Sequence, residues 1–240
     1  MQLLLKSPGV KQVTRNEMLG YRIPDATPSY TPVSNELIIE TALEQLDKEG
    51  FNLIGEFYKQ STENKFVGGL ILDGADTIPG HNFEFAFKNS YDKTMSIGLA
   101  LGQNTFICSN SSVSAEFTLK RVHTGSADKV VVEYIQETIK EMHEHYFKMI
   151  QRFESWKQIE VTKRLCAEVG GRLYLEERIL SPNQLSILRE ELKEESFNYG
   201  VENTLYNLYE ACTHSLKSEP PLTFINTHAK LNQFFTTNFN

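Results

Sequence analysis

The stretch Asn82-Phe83-Glu84-Phe85-Ala86-Phe87-Lys88 decides the fold class. Its three phenylalanines alternate with Glu84, Ala86 and Lys88, the period-two pattern of a β-strand with one buried and one wet face. Just downstream, Met95, Ile97, Leu99 and Leu101 alternate with Ser96, Gly98 and Ala100, a face small enough for a neighbour to pack very close to the sheet. Further runs suited to strands are 51–58, 66–72, 94–101, 104–109 and 114–122. With 82–88 they predict six strands joined by short polar turns in antiparallel meanders.

On the N-terminal side, Leu37, Ile38, Ala42, Leu43 and Leu46 recur at helical spacing, with Ser34 or Asn35 as cap and Gly50 just past the last turn. On the C-terminal side the period becomes helical after Gly125. Val132, Ile135, Ile139, Met142, Tyr146, Met149, Phe153 and Trp156 form one narrow apolar seam. That spacing predicts a long helix, which either covers the sheet or pairs with a second copy into a homodimer through 132–156. Shorter helices are expected over 161–169, 182–195, from Leu205 to Leu216, and over 224–235. Ser181-Pro182 with Gln184 reads as a capping box, and Pro220-Pro221 as a stop. Residues 1–33 hold four prolines among Thr, Ser and Gly and read as an extended arm that lies on something. The organisation is thus an arm (1–33), an α+β core with a long helix (34–158) and a helical C-terminal subdomain (159–240). The fold class is α+β, an antiparallel sheet of about six strands packed against a long helix and followed by an all-helical region.

Composition supports a folded chain. Its 240 residues are 40% hydrophobic and 11% aromatic, which excludes global disorder. A net charge of −7 argues against a surface that grips nucleic acid everywhere, because that grip comes from neutralising phosphates. Charge is uneven, however. The arm is net basic, and residues 86–125 carry Lys88, Lys93, Lys120 and Arg121 against only Asp92 and Glu116. Three scattered cysteines, none in a Cys-x-x-Cys pair, argue against a disulfide framework and a structural zinc site. The opening Met1-Gln-Leu-Leu-Leu-Lys-Ser-Pro is too short in apolar residues for a leader or a membrane span, so a reducing cytoplasm is expected.

The densest polar cluster comprises Asn89, Ser90, Asp92 and Lys93 in one turn, Asn110 after Cys108-Ser109, and Lys120-Arg121-Val122-His123-Thr124. Asn, Asp and Ser are natural turn formers, and the same groups are donors for a phosphate or a base. Arg121 and His123 extend the apolar row of Ala115, Phe117 and Leu119, so they either pass into water or stand at the mouth of a pocket. In a pocket Arg121 would hold an anion and His123 would serve as donor or general acid-base. The Glu141, His143, Glu144 and His145 run puts its imidazoles on different faces of a helix and reads as a solvated face, with no metal ligand set. Cys108 reads as a buried inert thiol. Gly68-Gly69 and Gly170-Gly171 fit no phosphate loop and read as bends. Neither a catalytic motif nor a cofactor motif occurs.

The ordered segments from Val13-Thr14-Arg15 and Pro24-Asp25-Ala26-Thr27, through Asn89-Ser90-Tyr91-Asp92, Cys108-Ser109-Asn110 and Val122-His123-Thr124, to Leu205 through Thr213 resemble the phage/plasmid-like proteins grouped as domain of unknown function 932. Ser109 stands where that family has an acid, and Asn35 where a histidine often precedes the first helix. Both departures weigh against a catalytic role for those positions. The resemblance implies carriage by a phage, plasmid or other mobile element in a bacterial host cell, with no established activity. Three functions follow as expectations. The first is non-enzymatic handling of single-stranded nucleic acid in replication or recombination, with Lys88, Lys93, Lys120 and Arg121 on phosphates. The second is a host-directed protein-binding factor that blocks or redirects a host system. The third is an enzyme acting on a nucleotide through Asp92, Asn110, Arg121 and His123, which requires those four side chains to converge.

Overall fold

The computed structural model describes residues 10–61, 64–73, 81–105, 110–194 and 203–239. The elements run β1 (Val10–Val13), α1 (Arg15–Leu19), α2 (Asn35–Lys48), β2 (Leu53–Ser61), β3 (Lys65–Leu72), β4 (His81–Ser90), β5 (Ile97–Thr105), β6 (Asn110–Arg121), α3 (Ala127–Lys140), α4 (Met142–Trp156), α5 (Lys163–Leu175), α6 (Pro182–Glu191), α7 (Leu205–Ser215) and α8 (Pro221–Asn238). The six strands form one antiparallel sheet in chain order. The α+β reading and the C-terminal helical region hold.

Several boundaries differ from the sequence reading, each for a physical reason. The arm carries a strand and a short helix: β1 adds to the sheet edge at β2, and α1 starts with a capping box between Thr14 and Glu17. Residues 97–101 and 104–105 belong to one strand, β5, while 106–109 lie outside the described residues, and the arm supplies the sixth strand. The long apolar seam is divided between α3 and α4 at Glu141, whose backbone (φ −85°, ψ −3°) steps out of regular helix. Its seam residues from Ile135 to Trp156 are buried in the chain's own core. Gly68-Gly69 lies inside β3 and Gly170-Gly171 inside α5, so neither pair is a bend.

Both faces of the sheet are covered, because the second face is small as well as polar. Phe83, Phe85 and Phe87 pack with Leu70, Leu99 and Leu101 against Ile38, Ile39 and Ala42 of α2 and Val131 and Ile135 of α3. On the opposite face Ala86 and Ala100 receive Ile225 of α8, the close approach that Gly98 and Ala100 foretold. Glu84 and Lys88 are therefore 2% and 4% exposed, where the alternation alone predicted a wet face. The helices gain their seats from single polar anchors as well as from apolar area: Tyr146 of α4 donates to the Gly102 carbonyl of β5 at 2.7 Å. Helix starts follow the capping rules, with Ser34 accepting from the Leu37 amide and Ser181 paired reciprocally with Gln184.

Candidate nucleic-acid interface

Antiparallel pairing puts directly opposed residues on the same face. The register sets Gln12 opposite Lys59, Lys59 opposite Val67, Val67 opposite Lys88, Lys88 opposite Gly98 and Gly98 opposite Lys120. Lys59, Lys88 and Lys120 thus form one row across β2, β4 and β6, each about 10 Å from the next at the usual strand spacing. Gly98 belongs to the device, since a Cβ there would stand 2.7 Å from Lys88 Cε and 2.9 Å from its Cγ. The Lys88 stem lies across the glycine backbone. Burial pulls the Lys59 ammonium down to about 8, and burial together with the charge of Lys120 pulls Lys88 below the usual lysine range. Lys120 is exposed.

The turn at the end of β4 is a structural clasp. Asn89 donates through Nδ2 to the Val33 carbonyl at 2.8 Å and to Asn35 Oδ1 at 2.9 Å, and its own Oδ1 accepts the Ser90 amide. Tyr91 accepts the Asn35 amide at 2.8 Å, and Ser90 Oγ donates to the Met95 carbonyl. Asp92 caps Thr94 and pairs with Lys65 at 3.6 Å. The Thr94 bonds and the Lys65 charge hold its carboxyl below the usual range against the effect of burial. Lys93, at φ +67°, is exposed and sets its ammonium 4.7 Å from the Tyr30 ring centroid.

At the end of β6, Arg121 is half-buried and donates to the Thr124 carbonyl at 3.3 Å. His123 turns inward and is 3% exposed. Its carbonyl accepts the Thr31 amide and its Nδ1 accepts the Val33 amide at 3.3 Å. Burial holds the imidazole below its ordinary pKa, partly offset by the Thr31 backbone. Thr124 is exposed.

Of the ten residues singled out from the sequence, nine lie at this end of the sheet: Lys88, Asn89, Ser90, Asp92, Lys93, Lys120, Arg121, His123 and Thr124. Asn110 does not. It opens β6 opposite Thr105, whereas Arg121 closes the same strand opposite Ile97, roughly 30 Å or more away by strand rise. A four-residue site of Asp92, Asn110, Arg121 and His123 therefore does not assemble. Cys108 and Ser109 lie outside the described residues. Lys59, Lys65 and Tyr30 escaped the sequence reading; the lysines belong to the site only through cross-strand register, and Tyr30 only through the return of the arm.

Among the described residues no three His, Cys, Asp or Glu side chains come together as metal ligands, and no helix is long and apolar enough to cross a membrane. No curated protein and no solved structure matches the chain. The family model described as Domain of unknown function (DUF932) matches residues 26–233, from just before Tyr30 to well into α8, and the chain belongs to that family.

Proposed function

We propose that this protein handles single-stranded nucleic acid without chemical turnover, holding the strand's phosphates at the lysine-rich end of its sheet. The observation that carries the reading is the row of Lys59, Lys88 and Lys120 on one face of alternate strands. Burial and then the neighbouring charge of Lys120 lower the affinity of Lys88 for the proton. A polyanion relieves that repulsion and releases its own counterions in the process. Exposed Lys120 and Lys93 supply the direct contacts, while Lys88 and Lys59 add field from beneath. The acidic remainder of the chain confines binding to this end.

The test is fluorescence anisotropy of a labelled single strand over a salt series. The expected result is affinity that falls linearly with log salt concentration, with a slope that shrinks by about 0.7 for each lysine lost from the row. A Lys88→Gln/Lys120→Gln variant should show that loss while keeping the side-chain length that covers Gly98. A flat titration of the native protein at low salt overturns the proposal.

A further inference from the structure

Where the arm meets the end of β6, three buried hydrogen-bond donors lack an acceptor among the described residues. Tyr30 and His123 are 6% and 3% exposed, with ring centroids 5.3 Å apart. The Val33 amide occupies His123 Nδ1, so the neutral ring carries its hydrogen on Nε2. Among the described residues neither that Nε2, nor the Tyr30 hydroxyl, nor Arg121 Nε has a hydrogen-bond partner. Arg121 precedes His123 by two residues and sends its terminal nitrogen to the Thr124 carbonyl, so its guanidinium lies beside the same turn. The arrangement is held in place from both sides, since the Thr31 amide donates to the His123 carbonyl at 2.9 Å.

Unpaired buried donors are costly, and three at one turn share a single deficiency. What they lack is acceptor oxygen. Arg121 and the Lys93 ammonium beside the Tyr30 ring make an anionic oxygen the favourable one. Asp92, whose charge reaches the Tyr30 hydroxyl, is balanced by Lys65 and engaged by Thr94. A phosphate matches the requirement, because its several oxygens can accept from three directions at once.

We infer that Tyr30, Arg121 and His123 form a receptor for one phosphate group, with Lys93 at its rim. The receptor is distinct from the lysine row, which lies on the opposite face of β6 from Arg121. A row of ammonium groups follows any backbone, whereas three donors fixed at one turn favour a single phosphate group. The two sources of such a group are the 5′ phosphate at a strand end and the phosphate of a free nucleotide.

The experiment combines thermal unfolding with calorimetric titration of inorganic phosphate, at matched ionic strength, on the native chain and on Tyr30→Phe and His123→Asn. Tyr30→Phe removes one unpaired donor and should fold at least as well as the native chain without phosphate, while His123→Asn keeps an oxygen to accept the Val33 amide and withdraws the donor from the Nε2 position. Phosphate should raise the native melting temperature, and each variant should lose about tenfold in phosphate affinity, the usual consequence of one charge-assisted hydrogen bond. A native protein that ignores phosphate, or a response that both variants retain in full, overturns the inference. A preference for a 5′-phosphorylated over a 5′-hydroxyl strand assigns the receptor to strand ends, and competition by a nucleoside monophosphate without that preference assigns it to free nucleotides; either supports it. Salt-sensitive binding of the 5′-hydroxyl strand with no response to phosphate removes the receptor and leaves the lysine row. Phosphate binding with no strand binding does the reverse.

Discussion

Asn35 and Asn89, 54 residues apart, share a buried hydrogen bond of 2.9 Å in which Asn89 Nδ2 donates to Asn35 Oδ1. Both side chains are almost fully buried, at 1% and 0% exposure. The same Nδ2 also donates to the Val33 carbonyl, so one amide joins the start of α2, the arm and the end of β4. The Tyr91 hydroxyl completes the clasp by accepting the Asn35 amide. This clasp sets the position of Tyr30 and Val33 against His123, and through them the geometry of the candidate receptor.

Asn89→Ala should therefore destabilise the protein by about 2–3 kcal/mol, because it leaves the Asn35 and Val33 oxygens buried without their donor. Urea unfolding measures the loss. Phosphate affinity should fall with it, since the arm is no longer fixed. A variant within experimental error of the native midpoint would show that the clasp is not a stabilising element.

The two glycine pairs make opposite predictions. A Cβ on Gly68 of β3 would run into the Phe87 ring and stand 2.8 Å from Tyr58 Cδ1, so Gly68→Ala should cost about 1–3 kcal/mol as overpacking between two aromatic walls. Gly171, in the middle of α5, has nothing among the described residues within 4 Å of an added Cβ and lines a cavity of about 1020 Å³ between α5, α6 and α7. Gly171→Ala should stabilise by roughly 0.5–1 kcal/mol through helix propensity alone. Thermal unfolding of the two variants, measured side by side, should move in opposite directions.

These positions also show how far the sequence could be read. The Phe83, Phe85 and Phe87 alternation is a local pattern, and it identified β4 and its buried face correctly. The burial of Glu84 and Lys88 on the other face depends on α8, which lies more than 130 residues downstream and whose contact with Ala86 no local period encodes. Gly-Gly is a turn signal by propensity, yet ring packing keeps Gly68 in a strand. The lysine row was hidden because Lys59, Lys88 and Lys120 become neighbours only once the register is set. Asn110 illustrates the converse error: it is near Lys120 in the chain, but a twelve-residue strand separates it from Arg121 at full length.

His228 supplies a prediction about acid. It sits on α8 at 2% exposure, its ring 4.0 Å from that of Phe224, and among the described residues neither ring nitrogen has a hydrogen-bond partner. Burial alone pushes its pKa down to about 3, against 6.5 for an ordinary histidine. Above pH 6.5 the ring is neutral whether the chain is folded or unfolded, and stability is indifferent to it. Between pH 6.5 and about 3 the unfolded chain binds a proton that the folded chain refuses, so stability falls as the pH falls, by up to about 1.4 kcal/mol per pH unit. Carboxylates titrate in the same window, and a His228→Leu variant separates their contribution. Urea midpoints at several pH values between 4 and 7 should show a shallower decline for the variant, by about one proton, and greater stability at neutral pH because two unpaired polar atoms are gone. Parallel curves for the two proteins would show that His228 takes up its proton in the folded state as readily as in the unfolded chain.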